Sequence, residues 1–248
     1  MMRKLRLTCS HIFRSFKQTV RSWPRNILAW RKFWGAYHAY QRLAPAGQRA
    51  QWEFIYPCLH DDTSKTYIEP IYFYQDCWAF EKILQNRPPW HVDVGSHHKF
   101  VALLSKAVPV TMIDLRPLSL PLASLKFVQG SILSLPFGDR SVPSVSSICV
   151  IEHIGLGRYG DPLDPRGTEK ALEELKRIVA PGGHLYLFLP LDDCNRVYFN
   201  AHRAFKEEYL LGLFPPFKLA ESRYIYGCEF GEKHRTGFGT GCYDLTAP

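Results

Sequence analysis

The chain lacks the cysteine pattern of a disulfide-rich scaffold or of a structural zinc site. Its seven cysteines include no C-x-x-C pair and stand far apart, at positions 9, 58, 77, 149, 194, 228 and 242. An odd number of widely spaced thiols does not form a disulfide framework, and such thiols are usual in a reducing compartment. We therefore expect a cytoplasmic protein whose fold depends on an apolar core.

Acidic residues are absent from the first 52 positions, which contain 11 Lys or Arg residues. The remainder has 20 basic and 23 acidic residues, so the formal net charge of +8 belongs to a basic N-terminal arm on a mildly acidic body. The arm also lacks an apolar run long enough to span a bilayer and the uninterrupted apolar centre of a secretory signal.

Aromatic and basic residues are mixed along this arm, and helical spacing groups the apolar ones. The apolar face of the predicted helix comprises Leu5, Ile12, Phe13, Phe16 and Val20. The basic residues Arg14, Lys17 and Arg21 lie beside this face. Four aromatic residues follow it in the sequence: Trp23, Trp30, Phe33 and Trp34. Four roles suit such a helical arm. It would pack on the body or on a second subunit, bind an anionic membrane surface through residues 1–40, bind nucleic acid, or act as a targeting peptide.

From Trp90 onward, apolar strand patterns alternate with helical ones, and we count seven strands. This alternation predicts an α/β fold: a Rossmann-like, mostly parallel seven-stranded sheet with helices on both faces, preceded by the basic helical arm. Two local expectations follow from turn and capping signals. Thr168 caps a helix that ends at Pro181-Gly182-Gly183, and the stretch 199–214 forms another helix.

Ligands of such sheets bind beyond the carboxyl ends of the strands, and four positions there carry suitable residues. The first is the turn Asp93-Val94-Gly95-Ser96, and the second is Asp114, which ends the next strand. The third is Ser131-Ile132, and the fourth is Glu152-His153 after a buried strand. A nicotinamide-binding G-x-G-x-x-G turn is excluded, because His97 and Phe100 stand where it needs glycine.

Histidines and an aspartate near the first turn raise the question of a metal site, with His91 and Asp93 on one face of a strand. The adjacent His97 and His98 point apart at the start of a helix, so we expect no metal.

Four segments resemble the class I S-adenosylmethionine-dependent methyltransferases over about residues 90–190: "VDVGS", "MIDLRP", "VQGSILSLPFGDRSVPSVSSICVIEHI" and "ALEELKRIVAPGGHLYLFLP". Within that superfamily, "YFYQDCWAFEKI", "EHIGLGRYGDPLDP" and "FNAHRAF" resemble a little-characterised bacterial branch that carries a domain-of-unknown-function label and often occurs among surface-polysaccharide genes. The charge distribution sets the arm at 1–52. The resemblance then implies a methyltransferase-like domain over 53–248, with its cofactor core at about 90–190 and a C-terminal strand pair at about 215–246.

The resemblance also implies a role for each candidate residue toward the cofactor S-adenosylmethionine. Asp93, Gly95 and Ser96 would contact its methionine end, and Asp114 with Leu115 its ribose. Ser131 and Ile132 would border the adenine, with Ser131 in place of the usual acid. The chain departs from the family's first motif, because His97 and Lys99 replace two glycines.

On the acceptor side, the resemblance places Glu152 and His153 near the methyl donor, and a general base would be Glu152, His153 or Asp161. Arg158 and Tyr159 lie in a glycine- and proline-rich loop, and Asn200, His202 and Arg203 lie where relatives carry substrate-facing groups. The structural alternatives are a loop bonded to itself and residues that only pack the next helix.

Two functions from different classes remain open at this point. The first is methyl transfer to a small-molecule or glycan acceptor, such as a surface-polysaccharide sugar or a lipid-linked glycan, at the inner face of a membrane. The second is a non-catalytic scaffold with the methyltransferase fold, favoured by the lost glycines. An RNA-modifying enzyme is a weaker alternative, because the acidic body offers no broad surface for phosphates.

Overall fold

A computed structural model describes residues 26–248, and its contacts divide the chain into two units, of which the first ends at Tyr67. In the first unit, helix α1 covers residues 26–43. Short 3-10 turns follow at Ala46–Gln48 and Trp52–Phe54. Trp34 stacks on both Trp30 and Trp52, with ring centroids 6.2 and 5.7 Å away. The predicted apolar face from Leu5 to Val20, and Trp23, lie outside the described residues. Within residues 26–248, no helix is long and apolar enough to cross a membrane.

The second unit, Ile68–Pro248, is an α/β structure with four more α-helices, and strands alternate with helices through its first half. In chain order its elements are α2 (Pro70–Asn86), β1 (His91–Val94), α3 (His98–Leu104), β2 (Val110–Asp114), β3 (Leu125–Gln129), β4 (Val142–Ile148), α4 (Gly167–Ile178), β5 (Val179–Leu191), β6 (Arg196–Tyr198), β7 (His202–Ala204), α5 (Glu207–Leu213), β8 (Lys218–Tyr226), β9 (Glu229–Gly231) and β10 (Gly239–Thr246).

The central sheet has the strand order β3-β2-β1-β4-β5-β10-β8-β9. The strands from β3 to β5 are parallel, whereas β10, β8 and β9 each pair antiparallel with their neighbours. The mostly parallel α/β sheet is confirmed, but the expected number of seven strands is wrong: the sheet is mixed and has eight. The additional strand, β9, has only three residues, too few for an alternating pattern to be recognised in the sequence.

Two local predictions are wrong because distant contacts decide the structure. The stretch 199–214 is not one helix; its first part is the turn and second strand of the β6–β7 hairpin, and α5 begins only at Glu207. A left-handed residue, Asn200 at φ 63°, makes the hairpin turn. Thr168 is not the cap of α4, since the cap position belongs to Arg166 and the Thr168 hydroxyl donates to the carbonyl of Ile151.

Both faces of the sheet are covered, which explains the continuous apolar runs of its central strands. Along β5, Leu185, Leu187 and Leu189 pack with the buried side of α4, while Tyr186 and Phe188 pack with α2 and α3 on the opposite face. The carboxyl ends of the parallel strands are thereby left as the open edge of the layered structure.

A chain of buried polar groups joins β1 to β4 inside the face that α2 and α3 cover. His91 contacts the hydroxyls of Ser144 and Ser146 at 2.7 and 2.9 Å, and the Ser146 hydroxyl donates to Asp93 at 2.6 Å. All four side chains are buried. The pairing of His91 with Asp93 on one face is thus a hydrogen-bonded link between neighbouring strands. Across residues 26–248, no cluster of three or more His, Cys, Asp or Glu side chains could hold a metal ion.

We predict that Ser146→Ala destabilises the protein by about 1–3 kcal/mol, because it leaves buried groups of His91 and Asp93 without a partner. Urea unfolding at neutral pH measures the change, and Ser119→Ala in the exposed loop after β2 is the control. Equal midpoints for the two variants would contradict the role of this link.

Candidate functional site

A cleft opens at the carboxyl ends of β1, β2 and β4 and encloses about 590 Å³, counting its mouth toward solvent. Seven of the sequence-predicted residues line it: Gly95, Asp114, Leu115, Ile132, His153, Tyr159 and Asp161. Further lining residues were not predicted, among them Arg116, Cys149 and Val150. Arg116 follows Asp114 by two positions, so its place in the sequence was the only available signal.

The turn after β1 still requires its glycine. Gly95 has φ 74°, and a Cβ at this position would lie 3.0 Å from Cγ1 of Val150 across the cleft. His97, by contrast, has φ −64° and caps α3 by accepting a hydrogen bond from the Lys99 amide at 3.3 Å. His97 and Lys99 therefore have ordinary backbone conformations, and His97 is outside the cleft lining.

Asp93 and Ser96 support this turn from below and lie outside the cleft lining. The Asp93 carboxylate accepts from the Ser96 amide at 3.1 Å and from the Ser146 hydroxyl at 2.6 Å, and its burial raises its pKa to about 6. The Ser96 hydroxyl accepts from the Ile148 amide at 3.1 Å. Both side chains fix the turn to β4.

Asp114 ends β2 at the wall of the cleft. One carboxylate oxygen, Oδ1, accepts from the backbone amide of Arg116 at 2.8 Å. The Arg116 guanidinium lies over the ring of Tyr159, 4.7 Å from its centroid, so the end of β2 meets the loop after β4 at the cleft. Leu115 and Ile132 add apolar surface beside the carboxylate, while the Ser131 hydroxyl is outside the lining and accepts from the Leu133 amide at 3.2 Å.

Glu152 and His153 form a close pair at the cleft, with His153 in its wall and Glu152 buried behind it. His153 lines the cleft, and its Nε2 lies 3.7 Å from Oε1 of Glu152. Glu152 is buried, its Oε2 has no hydrogen-bond partner among the described residues, and burial raises its pKa to about 8. Burial lowers the pKa of His153 to about 4. At neutral pH the pair is thus a protonated acid beside a neutral imidazole.

The carbonyl of Ala201 in the β6–β7 hairpin orients this histidine. Nδ1 of His153 lies 2.6 Å from the Ala201 oxygen, and Nη1 of Arg158 donates to the same oxygen at 2.9 Å. A carbonyl only accepts, so Nδ1 carries the proton and Nε2 of the neutral ring has a free lone pair. Asn200 supplies the left-handed turn conformation that precedes this carbonyl.

Two other predicted residues, Asp161 and Arg203, form hydrogen bonds with the backbone of the loop between β4 and α4. The Asp161 carboxylate accepts from the amides of Gly155 at 2.5 Å and Tyr159 at 3.3 Å. The buried Arg203 donates to the Ile154 carbonyl, to Thr168 Oγ1 at 3.1 Å and to the Asp164 carbonyl at 2.9 Å. Both hold the loop in shape. His202 lies nearby, with its ring centroid 6.5 Å from that of His153.

Comparison with solved structures identifies the architecture. The chain is similar to the 1,6-didemethyltoxoflavin-N1-methyltransferase of Burkholderia thailandensis, which was crystallised with S-adenosylhomocysteine. The two sequences are 16% identical, and the structures superpose with a TM-score of 0.53 over 75% of this chain and 93% of the other. The fold is that of the class I methyltransferases. A second structure, the (4+2)-cyclase SpnF, has 12% identity, a TM-score of 0.52 and coverage of 69% and 81%. Since a protein described as a cyclase has this fold, the fold alone does not determine the reaction.

Sequence comparisons add one family. Residues 139–222, roughly a third of the chain, match the family described as "Caenorhabditis protein of unknown function, DUF268". This match supports the expected domain-of-unknown-function label, but its description gives no support to a bacterial branch. Curated protein sequences give no significant match.

We predict that stability falls between about pH 6.5 and pH 8 through Glu152. In this range the unfolded chain has lost the Glu152 proton, whereas the folded chain keeps it up to its pKa of about 8. The unfolded His153, with its ordinary pKa of 6.5, still releases protons at the lower end of the range, and this opposing contribution is the same in the wild type and in Glu152→Gln. Glu152→Gln should therefore reduce the pH slope of unfolding free energy by up to about 1.4 kcal/mol per pH unit. Urea titrations across this range measure the slope, with the exposed Glu173→Gln as the control. Unchanged slopes in Glu152→Gln would contradict a buried, protonated Glu152.

Proposed function

We propose that the cleft binds S-adenosylmethionine and that the protein transfers its methyl group to a hydroxyl or amino group of an acceptor. The observation that carries this proposal is the joint position of Gly95 and Asp114. They end adjacent parallel strands and line one cleft, and a side chain at Gly95 would crowd Val150 across it. A tight glycine turn and an acid at the next strand end suit a nucleoside with an attached amino acid.

The described residues fit the methionine end and the ribose of this cofactor, and they fit its adenine only through apolar contacts. Gly95 would admit the methionine end, with Asp93 and Ser96 shaping the turn beneath it. Asp114 would hold the ribose hydroxyls through the carboxylate oxygen that the Arg116 amide does not use. Leu115 and Ile132 would provide apolar contact for the adenine. Its amino group would find no charged partner at position 131, because an uncharged serine stands there, and the Ser131 hydroxyl accepts from the Leu133 amide.

His153 is the general base that the geometry favours among the three candidates. Its Nε2 has a free lone pair at the cleft wall, because Nδ1 carries the proton that is donated to the Ala201 carbonyl. Asp161 is occupied by backbone amides. When bound, the cofactor would supply a methyl group on a sulfonium sulfur and would leave as a neutral thioether. His153 takes the proton that the acceptor loses, and the protein otherwise aligns the two reactants.

The acceptor side is assigned to the loop and hairpin around His153. We propose that Arg158 and Tyr159 contact the acceptor together with Asn200 and His202, and that Arg203 holds the loop that carries the first two. The acceptor we propose is a surface-polysaccharide sugar or a lipid-linked glycan. The basic, aromatic segment of residues 1–40 would hold the enzyme at an anionic membrane surface, and its composition supports this part.

The test is calorimetric titration of the full chain with S-adenosylhomocysteine, using Asp114→Asn. Asparagine keeps an oxygen for the Arg116 amide but replaces the charged acceptor on the ribose side. Losing a hydrogen bond to a charged group costs about 1.5–3 kcal/mol, so affinity should fall roughly tenfold or more.

The control for this titration is Asp139→Asn, which removes a carboxylate paired with Arg177 at the surface. It should bind as the wild type does. A folded wild type that does not bind S-adenosylhomocysteine would overturn the proposal and favour a non-catalytic scaffold.

A further inference from the structure

The β6–β7 hairpin exposes apolar side chains next to the cleft. Val197, Tyr198 and Phe199 are exposed on it, and Phe238, which precedes β10, is 49% exposed. Scattered apolar residues are normal at a surface, but a contiguous group beside a ligand cleft indicates a binding surface. Neither the cofactor site nor the loop contacts described above use these side chains.

The rings of Tyr198, His202 and Phe238 form a continuous cluster, and His202 is the member that lies near His153. The Tyr198 and His202 rings have centroids 4.9 Å apart, and Phe238 lies 5.7 Å from His202 and 6.2 Å from Tyr198. His202 in turn lies 6.5 Å from His153. The Tyr198 and Phe238 rings, here called the aromatic platform, are perpendicular to each other at 87°, so a ring stacked on one of them would meet the edge of the other. A molecule resting against them would reach the His153 side of the cleft past His202.

Hydrogen bonds at its base hold the platform in place. The Tyr198 hydroxyl donates to Asp192 at 2.9 Å, and Arg196 donates to the same carboxylate oxygen at 2.9 Å. The amide of Gly237, next to Phe238, donates to Asp193 at 2.7 Å. Because the rings are fixed before any molecule binds, less conformational entropy is lost on binding.

Charge restricts the chemistry of the molecule that fits. The segments 192–206 and 227–238, which contain the platform, and the loop 155–166, which Arg203 joins to the hairpin, contain seven Lys or Arg and six Asp or Glu residues. A surface for nucleic acid or anionic lipid would need a clear positive excess. Nε2 of His202 is buried beside the rings without a hydrogen-bond partner among the described residues, so a hydroxyl of the bound molecule that reached it would satisfy it. The platform therefore suits an uncharged ring with one apolar face and polar groups at its edge.

We propose that the acceptor carries such a ring, bearing hydroxyl groups, and that it lies on Tyr198 and Phe238 with one hydroxyl directed to Nε2 of His153. This inference rests on the proposed function and names the acceptor class for the same site. A pyranose and a phenol share this chemistry, since both combine an apolar ring face with a hydroxyl at the edge.

Saturation-transfer NMR on the full chain tests the platform, with methyl pyranosides and phenol as separate probes and S-adenosylhomocysteine present. We expect at least one probe to respond and the response to fall at least about tenfold in Phe238→Ala, as loss of a stacking aromatic predicts. Phe73→Ala is the matched control, because Phe73 is 51% exposed on α2 and outside the platform. It should leave the response unchanged.

The outcomes separate the two proposals. A response to pyranosides or to phenol that depends on Phe238 supports the platform and identifies which ring it takes. No response from any probe, or an equal loss in Phe73→Ala, overturns it, provided that S-adenosylhomocysteine still binds both variants as it binds the wild type. If S-adenosylhomocysteine does not bind the wild type, the proposed function fails, and the probes with the free chain still test the platform.

Discussion

The buried link from His91 through Ser146 to Asp93 is the constraint on which the cleft depends. It joins β1 to β4 inside the sheet. Asp93 extends the link to the turn, because its carboxylate also accepts a hydrogen bond from the Ser96 amide. The hydrogen-bonded link holds Gly95 against Val150 and thereby sets the width of the cleft between the ends of β1 and β4. Asp93 therefore acts through the shape of the turn: its carboxylate is fully engaged below the surface where a cofactor would lie.

The carbonyl of Ala201 is a second point of connection, between the proposed cofactor site and the proposed acceptor site. It accepts from His153 and Arg158 together, and the hairpin that presents it also carries Tyr198 and His202. The conformation of one turn thus determines the tautomer of the proposed base and the position of Tyr198 in the aromatic platform. Arg203 ties the same hairpin to the loop after β4, so both walls of the acceptor region belong to one hydrogen-bonded assembly.

Local patterns were sufficient to predict the parallel part of the sheet and the residues at its strand ends. Gly95 and Asp114 could be found because each stands at the end of an apolar strand, where topology alone brings them together. Thr168 and the β6–β7 hairpin were missed because contacts with Ile151 and with distant strands outweigh local helix signals. The inward direction of Asp93, the capping role of His97 and the stack of Arg116 on Tyr159 depend on neighbours that spacing does not reveal.

The central claim is that Gly95 and Asp114 still form a nucleoside site although two family glycines are lost. A crystal structure of the full chain grown with S-adenosylhomocysteine tests it most directly. The account predicts density in this cleft, with the ribose hydroxyls in hydrogen-bond contact with Asp114 and the homocysteine portion passing Gly95. The nucleoside bound elsewhere, or an empty cleft in crystals saturated with it, would contradict the account.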